Sequence, residues 1–131
     1  MRLLLSALCL AIVASGCASN GMSRNDRVAL YQQHAGDPVG SFKSWTRNLQ
    51  WRALSNDALV VWARPNEAFL LEFRNSCPGL ISAREITISN SGQLVASGFD
   101  SVRITSPLAN RTACRITTIR PLDLQAINDA K

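Results

Sequence analysis

The chain of 131 residues has few of the residue types on which metal binding and membrane insertion depend. It contains a single histidine, which excludes a zinc protein that relies on several histidines. After its N-terminal segment, the chain has no apolar run of about 20 residues, which excludes a membrane-spanning helix there. Its length allows one domain, because domains most often hold roughly 100–150 residues. With 47% hydrophobic and 18% charged residues, the chain is too apolar to be disordered.

Sequence motifs of the common enzyme classes are also absent. There is no G-x-S-x-G, P-loop, H-E-x-x-H or glycine-rich dinucleotide motif. A serine hydrolase would have to recruit His34 from a first helix, and a glycosidase would need two of Glu67, Glu72 and Glu85 in a sugar cleft. A domain this small rarely builds such a cleft. We therefore predict a non-enzymatic protein with no catalytic residue, no metal and no cofactor.

The N-terminal segment, residues 1–16, has the pattern of a secretory signal peptide. Arg2 supplies a positive charge, residues 3–14 are mostly apolar, and residues 14–16 are small. As a helix, the apolar stretch would rise about 18 Å, well short of a hydrocarbon core of about 30 Å. The small residues followed by Cys17 resemble the bacterial lipobox, in which the cysteine is acylated and becomes the first residue of the mature protein.

The lipobox resemblance implies a location. An acylated Cys17 would anchor the chain through several acyl chains, each buried methylene contributing roughly 0.8 kcal/mol, and residues 17–23 suit a flexible tether. Ala18 stands where an aspartate is associated with inner-membrane retention, so the resemblance implies the outer membrane, with the domain facing the periplasm. Cleavage by the ordinary signal peptidase, without lipid, is the alternative.

The four cysteines then divide into three roles. Cys9 lies in the segment that is removed and Cys17 takes the lipid, which leaves Cys77 and Cys114. In an oxidising compartment we predict a structural disulfide between these two. The closed loop of about 38 residues would stabilise the fold by roughly 4 kcal/mol on the chain-entropy model. A redox pair or a metal site is the alternative, but Cys-x-x-Cys spacing is absent.

Arginine dominates the positive charge. Twelve of the 14 basic residues are arginine, and the mature chain would carry 13 basic against 9 acidic residues. Arginine pairs bidentately with carboxylate and phosphate, so an anionic envelope component is a candidate partner. The arginines are spread singly with no basic block, and export argues against a nucleic-acid partner. We predict solvated arginines on strands, with a patch facing lipid headgroups or another anionic surface as the alternative.

Hydrophobic spacing predicts an α+β, mainly β domain at residues 24–131: a small antiparallel sheet, as a sandwich or partly open barrel, with a short helix before it and a short helical segment after it. The first helix is predicted at 24–34, behind a capping box at Ser23. The apolar run at 58–64 predicts a strand buried on both faces, joined in a hairpin to 68–74. Further strands are predicted at 39–45, 49–54, 85–89, 94–96, 101–105 and 114–120.

Three finer predictions concern the later strands. Strand 94–96 is expected to return beside 85–89. If Cys114 faces inward, Ile116 and Thr118 share its face, and the disulfide ties this strand to the end of the hairpin. Pro121 suits the first position of the C-terminal helical segment, with Asp123 near the positive end of its dipole.

Three short motifs follow one another in the chain: Cys77-Pro78-Gly79-Leu80, then Phe99-Asp100-Ser101-Val102, then Cys114-Arg115-Ile116 with Ile119, Pro121 and Asp123. Together they resemble an uncharacterised domain family of short proteobacterial lipoproteins, and the resemblance covers about 24–128. It implies an envelope location and a disulfide but no reaction. Asp100 in the second motif is the most tempting catalyst, although a turn or a hydrogen-bonded strand end is favoured because no paired acid, histidine or metal ligand lies nearby.

The expected function is that of a non-enzymatic, lipid-anchored envelope protein acting as an interaction or accessory module. Its expected partner, besides the membrane that holds its anchor, is an unknown envelope protein or an anionic envelope component. An inhibitor of a hydrolase is the alternative, although an inhibitor of basic lysozymes should be acidic and this domain is basic. An enzyme acting on an envelope polymer is the least favoured of the three. Trp45, Trp51 and Trp62 are expected in the core rather than on a platform for sugar or peptide.

Overall fold

The computed structural model describes residues 21–105 and 112–131, so the predicted signal segment, Cys9 and Cys17 lie outside the described residues. Within the described part, no helix is long and apolar enough to cross a bilayer. The helices and strands, together with a 3₁₀ turn at Leu80–Ser82, are α1 (Arg24–Gln33), β1 (Ser41–Lys43), β2 (Gln50–Ala53), β3 (Ala58–Arg64), β4 (Glu67–Phe73), β5 (Glu85–Ile88), β6 (Leu94–Ala96), β7 (Ser101–Thr105), β8 (Thr112–Pro121) and α2 (Leu124–Asp129).

Six of these strands form one curled antiparallel sheet that makes half of a barrel. Its strand order is β2-β3-β4-β8-β7-β5, and β1 and β6 pair separately as a two-stranded sheet. The predicted mainly β fold is confirmed, in the form of a partly open barrel. Because the barrel does not close, β2 and β5 are left as the two edges of the large sheet.

The β3–β4 hairpin lies inside the sheet and is buried on both faces, as was predicted for β3. Leu59 and Leu71 are paired across the hairpin, with their side chains inside the curl. Val60 and Leu70 are paired next to them and face outward. All four are fully buried, which requires a second layer of structure on each side of the sheet.

Inside the curl, side chains from all eight strands meet in one core. Phe42 of β1 stacks on Phe69 of β4 with ring centroids 4.7 Å apart, and Val95 of β6 is fully buried beside them. On the outer face, Tyr31 of α1 and Ile127 of α2 cover the hairpin. The domain therefore has three layers, with the helices, the large sheet and the small sheet in that order.

Both helices begin at a side-chain cap. The Ser23 hydroxyl accepts a hydrogen bond from the Asp26 amide at 3.1 Å, so α1 starts where the capping box predicted. This helix ends with His34 as its C-cap, and the His34 carbonyl accepts from the Asp123 amide at 3.0 Å. The Asp123 carboxylate in turn caps α2 by accepting from the Ala126 amide. The ends of the two helices are therefore joined through the backbone.

The prediction that Pro121 begins the C-terminal helix was wrong. Pro121 is the last residue of β8, opposite Phe69 of β4, and α2 starts three residues later. A proline is tolerated at the end of a strand, where its missing amide removes no ladder bond that the sheet needs. Pairing with β4 therefore extends β8 beyond the point at which the sequence indicated a helix.

The expectation that strand 94–96 returns beside 85–89 was also wrong. Instead β6 pairs with β1, Phe42 opposite Val95, and β5 pairs with β7, Ile86 opposite Ile104. Alternation in the sequence shows which side chains share a face, but not which strand lies alongside. In the structure, β5 extends the large sheet, whereas β6 covers the interior of that sheet and buries Val95 there.

A β-bulge in β8 changes the predicted face of its second half. Cys114 and Ile116 face inward as expected, but the register shifts because Phe73 is opposite Ile116 while Glu72 is opposite Thr118. The extra residue between them is Thr117. Ile119 therefore takes the inward position that simple alternation gave to Thr118.

The predicted disulfide between Cys77 and Cys114 is present, with Cα atoms 5.7 Å apart. It lies on the connection from β4 to β5, which must pass β8 and β7 to reach the edge of the sheet. Cys77 also donates its backbone N–H to the Asn56 carbonyl at 2.7 Å. The connection is therefore fixed to β8 on one side and to the β2–β3 turn on the other.

Loss of the disulfide should destabilise the domain substantially. For the double variant Cys77→Ser and Cys114→Ser we expect the free energy of unfolding to fall by about 4 kcal/mol, from the entropy of the opened loop. Urea denaturation of this variant and of the parent, each with and without reductant, measures the change. Equal stability of all four samples would contradict a structural role.

Candidate functional site

A groove lies along the open side of the half-barrel. It has a volume of about 360 Å³ and runs between the two edge strands, with β2 on one side and β5 on the other. Its apolar lining comes from half-buried side chains that continue the inner core: Leu49, Trp51, Ile86 and Ile88, with Val95 at the base. The volume lies within the ordinary range of ligand sites, about 300–1,000 Å³.

Two arginines give this groove a positive rim. Arg47 precedes β2 and Arg84 precedes β5, and both are exposed. Among the described residues, neither guanidinium has a hydrogen bond or an ion pair. Glu85 also lines the groove but is not within ion-pair distance of either arginine. The groove therefore has a mixed lining, with polar residues such as Asn48 and Asn90 beside the apolar ones, and two guanidinium groups that are free to bind an anion.

Asp100 is a structural residue. Only 8% of it is exposed, and both oxygens of its carboxylate accept hydrogen bonds: Oδ1 from the Ser89 hydroxyl at 2.9 Å, Oδ2 from the Ala96 amide at 2.7 Å. The Ser89 hydroxyl accepts in turn from the Ser101 amide. The favoured interpretation of Asp100 as a hydrogen-bonded strand end is therefore confirmed. The carboxylate joins the connections on both sides of β6.

This network holds the turn between β6 and β7, and the turn carries a feature that the sequence analysis missed. Phe99 is 85% exposed, more than any other large apolar residue in the described part of the chain. Gly98 beside it has a backbone φ of 79°, a value that residues other than glycine rarely adopt. The signal in the sequence was a phenylalanine placed directly between two residues typical of turns, Gly98 and Asp100.

The three tryptophans have different surroundings. Trp51 packs against the inner core and Trp62 against the outer one, as predicted. Trp45 was predicted in the core but is 46% exposed. Lys43 and Arg64 lie over its ring, 4.0 and 4.2 Å from the ring centroid. These cation–π contacts stabilise an aromatic side chain that burial does not.

The other candidate groups are dispersed. Glu67 and Glu72 lie on β4 and form ion pairs with Arg64 and Arg120, while Glu85 lies on β5, separated from β4 by two strands. His34 is the C-cap of α1. Within residues 21–105 and 112–131, no three histidine, cysteine, aspartate or glutamate side chains come together as a metal site would require.

Arg120 differs from the solvated arginines that the sequence predicted. Its guanidinium donates to the carbonyls of Gly36 and Ala35 at 2.9 and 3.1 Å, and it lies 3.6 Å from the Glu72 carboxylate. It therefore fixes the chain after α1 to the large sheet. Scattered arginines look alike in sequence, because only the fold shows which of them meet backbone carbonyls.

The fold and groove define a class of protein: a small, disulfide-bonded β half-barrel with helices on its outer face and an open, arginine-rimmed groove on the other side. The chain belongs to DUF6491, a family of unknown function, whose profile matches residues 1–131. The match extends beyond the 24–128 covered by the predicted resemblance and includes the N-terminal segment. Neither the curated proteins nor the solved structures contain a match to the chain.

Replacing Asp100 by asparagine tests its structural role. The amide has one oxygen where the carboxylate has two, so one donor, the Ala96 amide or the Ser89 hydroxyl, loses its acceptor. We expect the free energy of unfolding to fall by about 1–3 kcal/mol in urea denaturation. Asp37→Asn, at an exposed position, is the matched control and should leave stability unchanged. An Asp100→Asn protein as stable as the parent would contradict the role.

Proposed function

We propose that this protein is a non-enzymatic, lipid-anchored module of the bacterial envelope that binds an anionic envelope component in the groove between β2 and β5. The observation that carries the proposal is the combination of an apolar lining with the unpaired Arg47 and Arg84 on the groove's open side. Binding sites typically combine apolar lining with a few polar groups that fix the ligand's orientation.

The anchor in this proposal is the acylated Cys17, behind a signal peptide at residues 1–16. The apolar segment and the small residues before Cys17 support it. A lipid anchor confines the module to the membrane surface and so raises its local concentration against envelope partners. The outer membrane, facing the periplasm, is the proposed location. The disulfide between Cys77 and Cys114 suits the oxidising compartment that export would give.

The role of Asp100 supports a binding function over an enzymatic one. It was the strongest catalytic candidate in the sequence, and the fold uses both of its carboxylate oxygens. Because both oxygens accept from the protein's own donors and only 8% of the residue is exposed, this carboxylate is poorly placed to transfer protons to a bound substrate. The charged side chains that line the groove are those of Arg47, Arg84 and Glu85, and an arginine guanidinium is suited to binding carboxylate or phosphate.

The intact mass of the protein extracted from native membranes tests the anchor and the disulfide together. We expect a chain that begins at Cys17 and carries acyl groups, with Cys77 and Cys114 open to alkylation only after reduction. A mass without acyl groups would contradict the anchor and indicate a freely diffusing exported protein. Free thiols at both positions would contradict the disulfide.

Neutralising the two groove arginines tests the site. In the variant Arg47→Gln with Arg84→Gln, crosslinking to the envelope component should fall roughly tenfold or more, because each charge-assisted hydrogen bond contributes about 1.5–3 kcal/mol. Crosslinking in intact cells followed by mass spectrometry measures the change. Arg24→Gln, on α1 and outside the groove, is the control. An equal loss from the control variant, or no loss from the groove variant, would contradict the proposal.

A further inference from the structure

The turn at residues 96–100 is held in one conformation by several hydrogen bonds. The Ala96 carbonyl accepts from the Asp100 amide at 3.0 Å, while the Ala96 amide donates to the Asp100 carboxylate at 2.7 Å. The Gly98 amide donates to the Ile116 carbonyl at 2.7 Å, and the Ile116 amide donates to the Asp100 carbonyl at 3.0 Å. The turn is therefore fixed to β8, in the centre of the sheet.

Phe99 is at the tip of this fixed turn. With 85% of its surface exposed, its ring packs against little of the protein and contributes little to the core. A small polar residue would satisfy the turn as well, because the bonds that hold it come from the backbone and from Asp100. The turn therefore holds the backbone of Phe99 in place while its ring is open to contact from outside the domain.

Three exposed arginines lie on the surface beside this turn. Arg115 of β8 is opposite Ser101 and donates to the Gly98 carbonyl at 3.3 Å. Arg103 is the next outward position along β7, and Arg74 lines the same surface depression as Gly98 and Arg115. Among the described residues, Arg74 and Arg103 have no hydrogen bond or ion pair.

The surface formed by Phe99, Arg74, Arg103 and Arg115, which we call the Phe99 surface, has no free carboxylate in its centre. Asp100 is buried and both of its side-chain oxygens accept hydrogen bonds. Glu85 is opposite Thr105, at the far end of β7. The helices cover the outer face over β3 and β4, so these arginines lie on the part of that face that the helices leave open.

We propose that the Phe99 surface docks the domain onto an anionic phospholipid bilayer. The ring enters the interfacial region of the bilayer, and the guanidinium groups bind lipid phosphates bidentately. Each arginine near an anionic membrane surface adds to the attraction. The inference rests on the proposed function in one respect, because the lipid anchor raises the local concentration of this surface at the bilayer.

The shape of the surface favours a bilayer over a protein partner. Protein hot spots insert an aromatic side chain into a matching pocket and are surrounded by further apolar contacts. Here the single apolar group projects from a turn, and its neighbours in the surface are cations. A bilayer accepts such a group in any orientation and offers a phosphate to every guanidinium.

Photocrosslinking of the full chain in its native envelope tests the proposal. We replace Phe99 by p-benzoylphenylalanine, which keeps an aromatic ring at the tip of the turn, and irradiate intact cells. We expect the recovered protein to gain the mass of a phospholipid. The control replaces Gln50, exposed on β2 at the opposite edge of the sheet, and should give little lipid adduct.

A second pair of variants tests the charge. Arg74→Gln combined with Arg103→Gln, in the photoreactive background, should lower the lipid adduct about fivefold for each arginine removed. Arg115 is left in place because it also holds the turn. Arg52→Gln, an exposed arginine on β2, is the matched control and should leave the adduct unchanged.

The outcomes separate this inference from the proposed function. An adduct only to a protein, no lipid adduct, or equal lipid adducts from positions 99 and 50 would each overturn bilayer docking. If the intact mass shows acyl groups while position 99 gives no lipid adduct, docking fails and the anchor stands. If acyl groups are absent but position 99 still gives the lipid adduct, the anchor fails and the surface stands.

Discussion

Burial of both faces of the β3–β4 hairpin is the constraint on which the rest of the structure depends. A strand such as β3, with Leu59 and Val61 on one face and Val60 on the other, is stable only if each face is covered. The two helices cover the outer face, and their ends are joined by the hydrogen bond from Asp123 to His34. The small sheet of β1 and β6 covers the inner face, and the large sheet curls around it.

The groove and its edges follow from this arrangement. Six strands curl around the small sheet without closing into a barrel, so β2 and β5 remain without a partner on their outer sides in the described structure. Their inward side chains, such as Trp51 and Ile86, continue the core to the surface and are only half buried. The same residues that complete the core therefore line the candidate binding site.

Two interactions outside the main packing, the disulfide and the hydrogen bonds of Asp100, position the exposed segments of the domain. The disulfide fixes the long connection from β4 to β5 at the point where it passes β8. Beyond this point, β5 is held at the edge of the sheet by its pairing with β7. The buried Asp100 carboxylate accepts from Ser89, before β6, and from the amide of Ala96, the last residue of β6, and so fixes the turn that carries Phe99. In both cases a chemically versatile side chain is used to hold the backbone, and the exposed residues beside it are available for binding.

The sequence by itself determined the central hairpin, the first helix and the disulfide pair. Each of these depends on local periodicity, on a cap or on a count of candidates, and such signals do not require a partner strand to be known. Within the central hairpin, Phe69 and Leu71 lie on one face and Leu70 on the other, as the alternation along a strand predicts from the sequence alone.

Only the tertiary structure decided which strands lie together and which residues reach the surface. The pairing of β6 with β1, the bulge at Thr117 and the extension of β8 to Pro121 depend on how strands distant in sequence fill one core. The groove, the exposure of Phe99 and the distinction between Arg120 and the free arginines follow from that packing. Side-chain type and spacing do not predict these contacts, because the contacts form between segments that are distant in sequence and meet only when the chain folds.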